Sequence, residues 1–179
     1  MLKITHVIGV LLVVAVNNAV SAAPPASYAG QEQREIKALS PEEVKDYLAG
    51  KGMGLAKAAE LNRYPGPAHV LELAGPLRLS ADQKRRTEAV FNAMQVEARR
   101  QGAMLVEKER ALDRQFAAGA ITAEELRSSL AQIAGVQAEI RRIHLQAHLE
   151  QKKILTPEQV VRYSALRGYA SHAGHAHQH

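Results

Sequence analysis

Histidine is the residue type in this sequence whose spacing could support chemistry. His144 and His148 are four positions apart in a stretch with helical periodicity, so both imidazoles project from one face of a helix. Neutral imidazole is a good ligand for zinc, copper and nickel, and a pair with this spacing can bind one ion. The alternative interpretation is two histidines at the solvent edge of an apolar seam, each hydrogen-bonded to a carboxylate.

Two further candidate ligands lie in a short segment after Pro67. His69 and Glu72 are three positions apart, which also places them on one face of a helix. Together with His144 and His148 they would provide a set of nitrogen and oxygen ligands of the kind that zinc uses. The sequence does not show whether these two helices meet, so the inner metal site depends on a contact that only a structure can reveal.

Four more histidines lie in the last eight residues, and they are His172, His175, His177 and His179. This segment, residues 170–179, has no apolar face to bury and is predicted to be disordered. One interpretation is that it wraps a metal ion with its alternating imidazoles. The other is a solvated tail that binds metal only adventitiously.

The composition excludes several other chemistries. The 179 residues include no cysteine, which excludes disulfides, cysteine zinc sites, iron–sulfur clusters and cysteine nucleophiles. The sequence has no Gly-x-Ser-x-Gly elbow and no phosphate-binding loop, and Leu145 follows His144 where a zinc protease has its glutamate. We therefore expect no enzymatic activity and no organic cofactor, and the expected cofactor is zinc, copper or nickel.

Residues 1–22 have the pattern of a secretory signal peptide. A short segment that carries Lys3 is followed by ten apolar residues, 7–16, and then by small residues near Ala22. An uncleaved membrane anchor is the alternative, but a helix needs about 20 residues to cross a bilayer. We therefore expect a periplasmic protein that has no integral membrane segment after cleavage.

The formal net charge is +5, and basic pairs and triplets recur along the chain. Nucleic acid would be one partner for such clusters. Export and a content of only 4% aromatic residues argue against it, since stacking platforms need aromatic rings. A cationic face for acidic unfolded clients or for anionic headgroups fits better, and a simply solvated face is the alternative.

Four places share one local pattern of an aliphatic residue, then serine or threonine, then glutamate or glutamine three residues later. They are residues 39–43, 79–83, 121–125 and 155–159. This is the capping box that begins a helix, in which the hydroxyl and the acid or amide satisfy each other's backbone N–H groups. The pattern predicts four helix starts, at Ser40, Ser80, Thr122 and Thr156.

The resulting fold class is all-α, with a long antiparallel helical hairpin and short flanking helices. Long helices over residues 80–118 and 122–153 are joined by a turn at Gly119, so residue i lies opposite about residue 240 − i. The second capping box is then beside the fourth. Each arm has only a narrow apolar stripe, which predicts an intertwined homodimer; a monomeric four-helix bundle is the alternative.

Paired Leu-Ser/Thr-x-x-Gln motifs on a hairpin after a signal peptide resemble the periplasmic LTxxQ stress-protein superfamily. The matching residues are 79–83, with serine in place of threonine, and 155–159, and the resemblance covers residues 67–169. This superfamily includes the Spy- and CpxP-type chaperones and the ZraP- and CnrX-type heavy-metal-binding proteins. The resemblance implies a dimeric helical protein without catalysis, which binds metal ions, unfolded clients or a membrane signalling protein.

The predicted organisation has four parts. Residues 1–22 are the signal peptide, 23–66 an N-terminal helix and linker, 67–169 the hairpin domain and 170–179 the histidine-rich tail. The first functional hypothesis is a heavy-metal sensor or sequestering protein. The second is an ATP-independent chaperone that holds unfolded proteins against an apolar, basic face.

Overall fold

The computed structural model describes residues 27–169. The chain divides after Glu32 into two units. Of the first, residues 27–32 form a turn, in which the Gln31 side chain donates a hydrogen bond to the Ser27 carbonyl. The predicted signal peptide and the four tail histidines (His172, His175, His177 and His179) lie outside the described residues. The second unit contains all the helices described below.

The all-α prediction is confirmed, since residues 27–169 form helices, turns and loops without a strand. The helices of this part of the chain are α1 (Pro41–Leu48), α2 (Lys57–Glu60), α3 (Pro67–Glu72), α4 (Ala81–Ala117), α5 (Ala123–Ile154) and α6 (Pro157–Leu166). At 1.5 Å per residue, α4 is about 55 Å long and α5 about 48 Å. None of these helices is both long and apolar enough to cross a membrane.

All four predicted capping boxes are formed. Ser40, Ser80, Thr122 and Thr156 each accept a hydrogen bond from the backbone N–H three residues on, and the side chain at that position accepts one from the cap N–H. Helices α1, α4, α5 and α6 therefore begin where the pattern predicts. The short helix α2 was not predicted, because its N-cap, Ala56, has no side chain that can cap a helix.

Helices α4 and α5 form the predicted antiparallel hairpin around the turn at Gly119, whose φ of 64° is the left-handed conformation that suits glycine. Lys108 donates to Gln132 over 2.7 Å. Further from the turn, the buried amide of Gln151 donates to the Thr87 hydroxyl over 3.1 Å. Leu105 packs between the arms in a cluster with three residues of α5, which are Ile133, Val136 and Ile140.

Two glutamines close the open end of the hairpin. The side-chain amides of Gln83 and Gln159 donate to each other's oxygens over 2.7 and 3.1 Å. Gln83 also donates to the Ile154 carbonyl, and Gln159 to the Leu77 carbonyl. The predicted meeting of the second and fourth capping boxes is thus confirmed, and each glutamine joins a helix cap to a tertiary contact.

We expect Gln83→Ala and Gln159→Ala each to lower the free energy of unfolding by about 1 kcal/mol, since each leaves part-buried backbone and side-chain groups without a partner. The double variant should be less destabilised than the sum of the singles, because both changes remove the same pair of bonds. Urea denaturation of the three variants measures this coupling. Gln137→Ala, at an exposed position of α5, is the control, and additive losses would contradict the paired arrangement.

The segment that precedes the hairpin packs against it as part of the same unit. Ile36 and Leu39 form a cluster with Val106 of α4. The Lys37 ammonium hydrogen-bonds to Asp113 at 3.0 Å and holds the pKa of that carboxyl below its usual range. From residue 33 onward, the predicted N-terminal helix and linker therefore packs against the hairpin.

Candidate functional site

Three histidines from different parts of the chain line one cavity of about 660 Å³. His69 lies on α3, and His144 and His148 lie on α5. Phe91, Met94 and Gln95 of α4 also line it, as do residues of the segment that contains α2. The structure thus brings together the three inner histidines that the sequence predicted as ligands.

The two α5 histidines are buried rather than at the solvent edge of the apolar seam. His144 is 4% exposed and His148 is 8% exposed. The segment containing α2 and the start of α3 covers them, and glycines allow the close approach: a Cβ added at Gly66 would lie 2.9 Å from His148 Cε1. The spacing of apolar residues in α5 alone could not show that another segment of the chain covers these histidines.

The carboxylate of the cavity is Glu60 and not Glu72. Glu72 is exposed and does not line the cavity, whereas Glu60 is 9% exposed and lines it. Its oxygens accept hydrogen bonds from the Tyr163 hydroxyl at 2.5 Å, the Tyr169 hydroxyl at 3.2 Å and the Gly66 N–H at 3.1 Å. Nothing in the sequence singled out Glu60, because it has no regular spacing to any histidine.

The hydrogen bonds of His148 leave one ring nitrogen available. Its Nδ1 lies 2.6 Å from the Tyr64 carbonyl oxygen. A carbonyl can only accept, so Nδ1 carries a proton, and the lone pair of the neutral ring is then on Nε2. A metal-binding histidine is usually held in this way, with its other N–H donated to a backbone carbonyl or a carboxylate.

His69 is held by the same carboxylate. Its Nδ1 lies 3.4 Å from Glu60 Oε1 and 3.3 Å from the Tyr163 hydroxyl, and its Nε2 lies 3.5 Å from an Arg167 nitrogen. Glu60 Oε2 is 3.7 Å from Nδ1 of His148. One carboxylate therefore faces the Nδ1 edge of both imidazoles, which leaves Nε2 as the ligand atom of His148. Nε2 of His69 faces the Arg167 guanidinium, which can only donate, so His69 would have to leave this contact to bind an ion through Nε2.

His144 supplies the third nitrogen. Burial, and to a lesser extent the charge of His148, lower the pKa of His144, which keeps its ring neutral. Its Nε2 is buried without a hydrogen-bond partner, a state that costs about 1–3 kcal/mol unless water or an ion satisfies the nitrogen. This buried nitrogen without a partner and the imidazole donors beside it fit a borderline divalent metal.

The three rings are not yet arranged around one point. Within residues 27–169, no three histidine, aspartate or glutamate side chains are placed to hold one metal ion. Binding would therefore require a change of side-chain rotamers in the cavity. A volume of about 660 Å³ leaves room for such movement.

In metal-free solution, we expect the protein to lose stability as the pH falls below about 6.5, the ordinary pKa of histidine. Because the folded-state pKa of His144 is lowered, its contribution is complete above the unfolded value and is lost as the pH falls through the folded value. Urea denaturation at several pH values with a chelator measures the slope. His144→Gln should flatten it, and an identical slope in that variant would contradict the assignment.

Comparison of the chain with protein-family models finds no matching family, and comparisons with curated proteins and with solved structures find no significant match. The interpretation of the site therefore depends on its own geometry. The superfamily resemblance of the two glutamine motifs stays a prediction.

Proposed function

We propose that this is a non-enzymatic periplasmic protein that binds a divalent transition metal (zinc, copper or nickel) as a sensor or sequestering protein. The observation that carries the proposal is the orientation of His148, which donates from Nδ1 to the Tyr64 carbonyl and so directs Nε2 away from that hydrogen bond. His69 and His144 line the same cavity. Three imidazoles suit the borderline metals better than calcium or magnesium, which prefer oxygen ligands.

Each residue has a distinct part in this proposal. His69, His144 and His148 supply the nitrogen ligands, while Glu60 and the Tyr64 carbonyl orient two of the rings. A bound ion would supply a link between α3 and α5. Such a link converts metal concentration into a change in the packing of the α3 segment, which is what a sensor needs.

The predicted tail histidines form a separate part of the proposal. His172, His175, His177 and His179 would act as a second, looser set of imidazole ligands that raises the local concentration of metal near the chain. Any test of the inner site must therefore remove them first. Alanine at these four positions does so in the full-length chain.

Calorimetric titration tests the inner site in that tail-substituted chain. We expect one metal ion per chain for zinc or copper, and loss of this binding when His144→Ala and His148→Ala are combined. His69→Ala should weaken binding, and Glu72→Ala is the control, since Glu72 is exposed and outside the cavity. An unchanged isotherm in the His144/His148 double variant would show that the inner site is wrong.

A second candidate function is an ATP-independent chaperone, and a groove on α5 favours it. This groove of about 740 Å³ is lined by Leu55, Leu145 and Leu149 beside Arg141 and Arg142. Leu149 is 45% exposed. An apolar floor with a basic rim would suit unfolded, acidic client proteins.

Aggregation of a denatured client distinguishes the two functions. Suppression of aggregation that is unaffected by chelator favours the chaperone, and it should decrease in Leu149→Asp. Tight metal binding without suppression favours the metal protein. The control for the groove is Leu130→Asp, an exposed α5 leucine that does not line it.

The proposed partners are a second copy of the chain and a membrane signalling protein. A homodimer would cover apolar surface that a single hairpin leaves open, and Val96, Phe116 and Val161 are all more than half exposed. A membrane signalling protein is the partner that a metal sensor would need. Light scattering at several protein concentrations, with and without zinc, tests the dimer.

A further inference from the structure

Glu60 lies where four elements of the chain meet. It belongs to α2, and its carboxylate faces His69 of α3, His148 of α5 and the hydroxyls of Tyr163 and Tyr169 at the C-terminal end of the described chain. We propose that Glu60 is a positioning residue that couples occupancy of the histidine cavity to the docking of α6. This inference rests on the proposed metal-binding function.

The first half of the coupling joins Glu60 to the ligands. Its two oxygens are 3.4 Å from Nδ1 of His69 and 3.7 Å from Nδ1 of His148. A carboxylate behind an imidazole fixes the ring orientation and makes the opposite nitrogen a stronger ligand. Glu60 therefore acts on the metal through the two rings and need not bind the ion itself.

The second half joins Glu60 to α6. Tyr163 is fully buried in a cluster with Val70, Leu77, Leu155 and Val160, so its hydroxyl can reach Glu60 only when α6 is docked. Burial and the hydrogen bond to Glu60 raise the pKa of this hydroxyl, which keeps it protonated as a donor. Arg167, one residue beyond α6, places its Nε 3.7 Å from the same carboxylate.

The two halves reinforce each other. A metal ion on Nε2 draws electron density from the ring, so the Nδ1–H becomes more positive and attracts the Glu60 carboxylate more strongly. Once the histidines hold the carboxylate in one rotamer, the tyrosines bind an acceptor that is already ordered. The side-chain entropy of Glu60 is therefore lost only once for the two sets of contacts. By thermodynamic linkage, metal binding should then stabilise α6, and docking of α6 should increase metal affinity by the same factor.

Zinc titration of the full-length chain with alanine at the four tail histidines tests the affinity half. We expect Tyr163→Phe, which keeps the ring and removes the hydroxyl, to weaken zinc binding by about tenfold. Tyr169→Phe should weaken it less, because its 3.2 Å bond to Glu60 is longer and its side chain is half-buried. Tyr28→Phe, at a residue that is 77% exposed, is the matched control and should leave affinity unchanged.

Hydrogen exchange tests the α6 half. We expect zinc to slow amide exchange in residues 157–166 of the tail-substituted chain, and Glu60→Gln to abolish this zinc-dependent slowing. A purely structural role for Glu60 would speed exchange equally with and without zinc. If Glu60→Gln or Tyr163→Phe fails to fold, the zinc-dependent slowing of exchange in residues 157–166 is measured in Tyr169→Phe, which changes a partly exposed position.

The outcomes separate the two proposals. If zinc binds normally, with the same affinity in Tyr163→Phe and no change of α6 exchange, the coupling is wrong and the metal-binding function survives. If the unsubstituted cavity binds neither zinc, copper nor nickel, both are overturned. Weaker zinc binding in Tyr163→Phe together with zinc-dependent protection of α6 supports the coupling.

Discussion

Alanine at position 102 is expected to destabilise the protein by about 3 kcal/mol, although alanine is the better helix former. A Cβ added at Gly102 would lie 2.0 Å from the Tyr47 carbonyl oxygen and 2.7 Å from its carbonyl carbon. These are backbone atoms at the end of α1, so the clash cannot be relieved by a rotamer change. Helix α1 would have to move away from α4, with loss of the cluster of Ile36, Leu39 and Val106.

Gly135→Ala is the matched control for this substitution. Gly135 lies within α5, and a Cβ there meets no atom within 4 Å. This variant should be more stable than the unsubstituted chain by about 0.5–1 kcal/mol, from helix propensity alone. Urea denaturation compares the two, and a Gly102→Ala protein as stable as Gly135→Ala would mean that α1 does not pack on α4 as described.

Alanine at position 66 is expected to weaken binding of zinc to the tail-substituted chain by about tenfold or more. Its methyl group would lie 2.9 Å from Cε1 and 3.1 Å from Nε2 of His148, which is the edge of the ring proposed to face the metal. The backbone of Gly66 has φ −80° and ψ 141°, a conformation that alanine adopts without strain. Its N–H would still donate to Glu60. The change therefore acts on the ligand rather than on the local fold.

Gly75→Ala is the control for the cavity. A Cβ at Gly75 meets nothing within 4 Å, so both the fold and the zinc isotherm should be unchanged. Calorimetric titration measures both variants, and circular dichroism confirms that helix content is kept. If Gly66→Ala binds zinc as tightly as Gly75→Ala, Nε2 of His148 is not a ligand.

The helix starts could be predicted from the sequence because a capping box is a local interaction within four residues. Ser80 and Thr156 begin helices for reasons that are visible in residues 79–83 and 155–159 alone. The contact between Gln83 and Gln159 could also be predicted, because two helices of known start joined by a short turn leave one antiparallel register.

The cavity could be predicted only in part, because its cover follows from long-range packing. His69, His144 and His148 were recognisable from residue type and spacing. Glu60 was not, since it lies in a four-residue helix that begins without a capping side chain. The close approach of Gly66 to His148 is a contact between residues far apart in sequence, and no periodicity in either segment indicates it.

The register of the hairpin also implies an order of folding. Contacts between its arms span 14 residues near the turn (Gln115 to Ser129), 24 at Lys108 to Gln132, and 76 at the glutamine pair. Because closing a longer loop costs more chain entropy, we expect the contacts between the arms to form first near the turn and then progressively further from it. Helices α2, α3 and α6 meet at the far end, so the histidine cavity should assemble last and open first. Metal would then bind only to the completely folded chain. The amount of bound metal would therefore measure the fraction of chains that are completely folded.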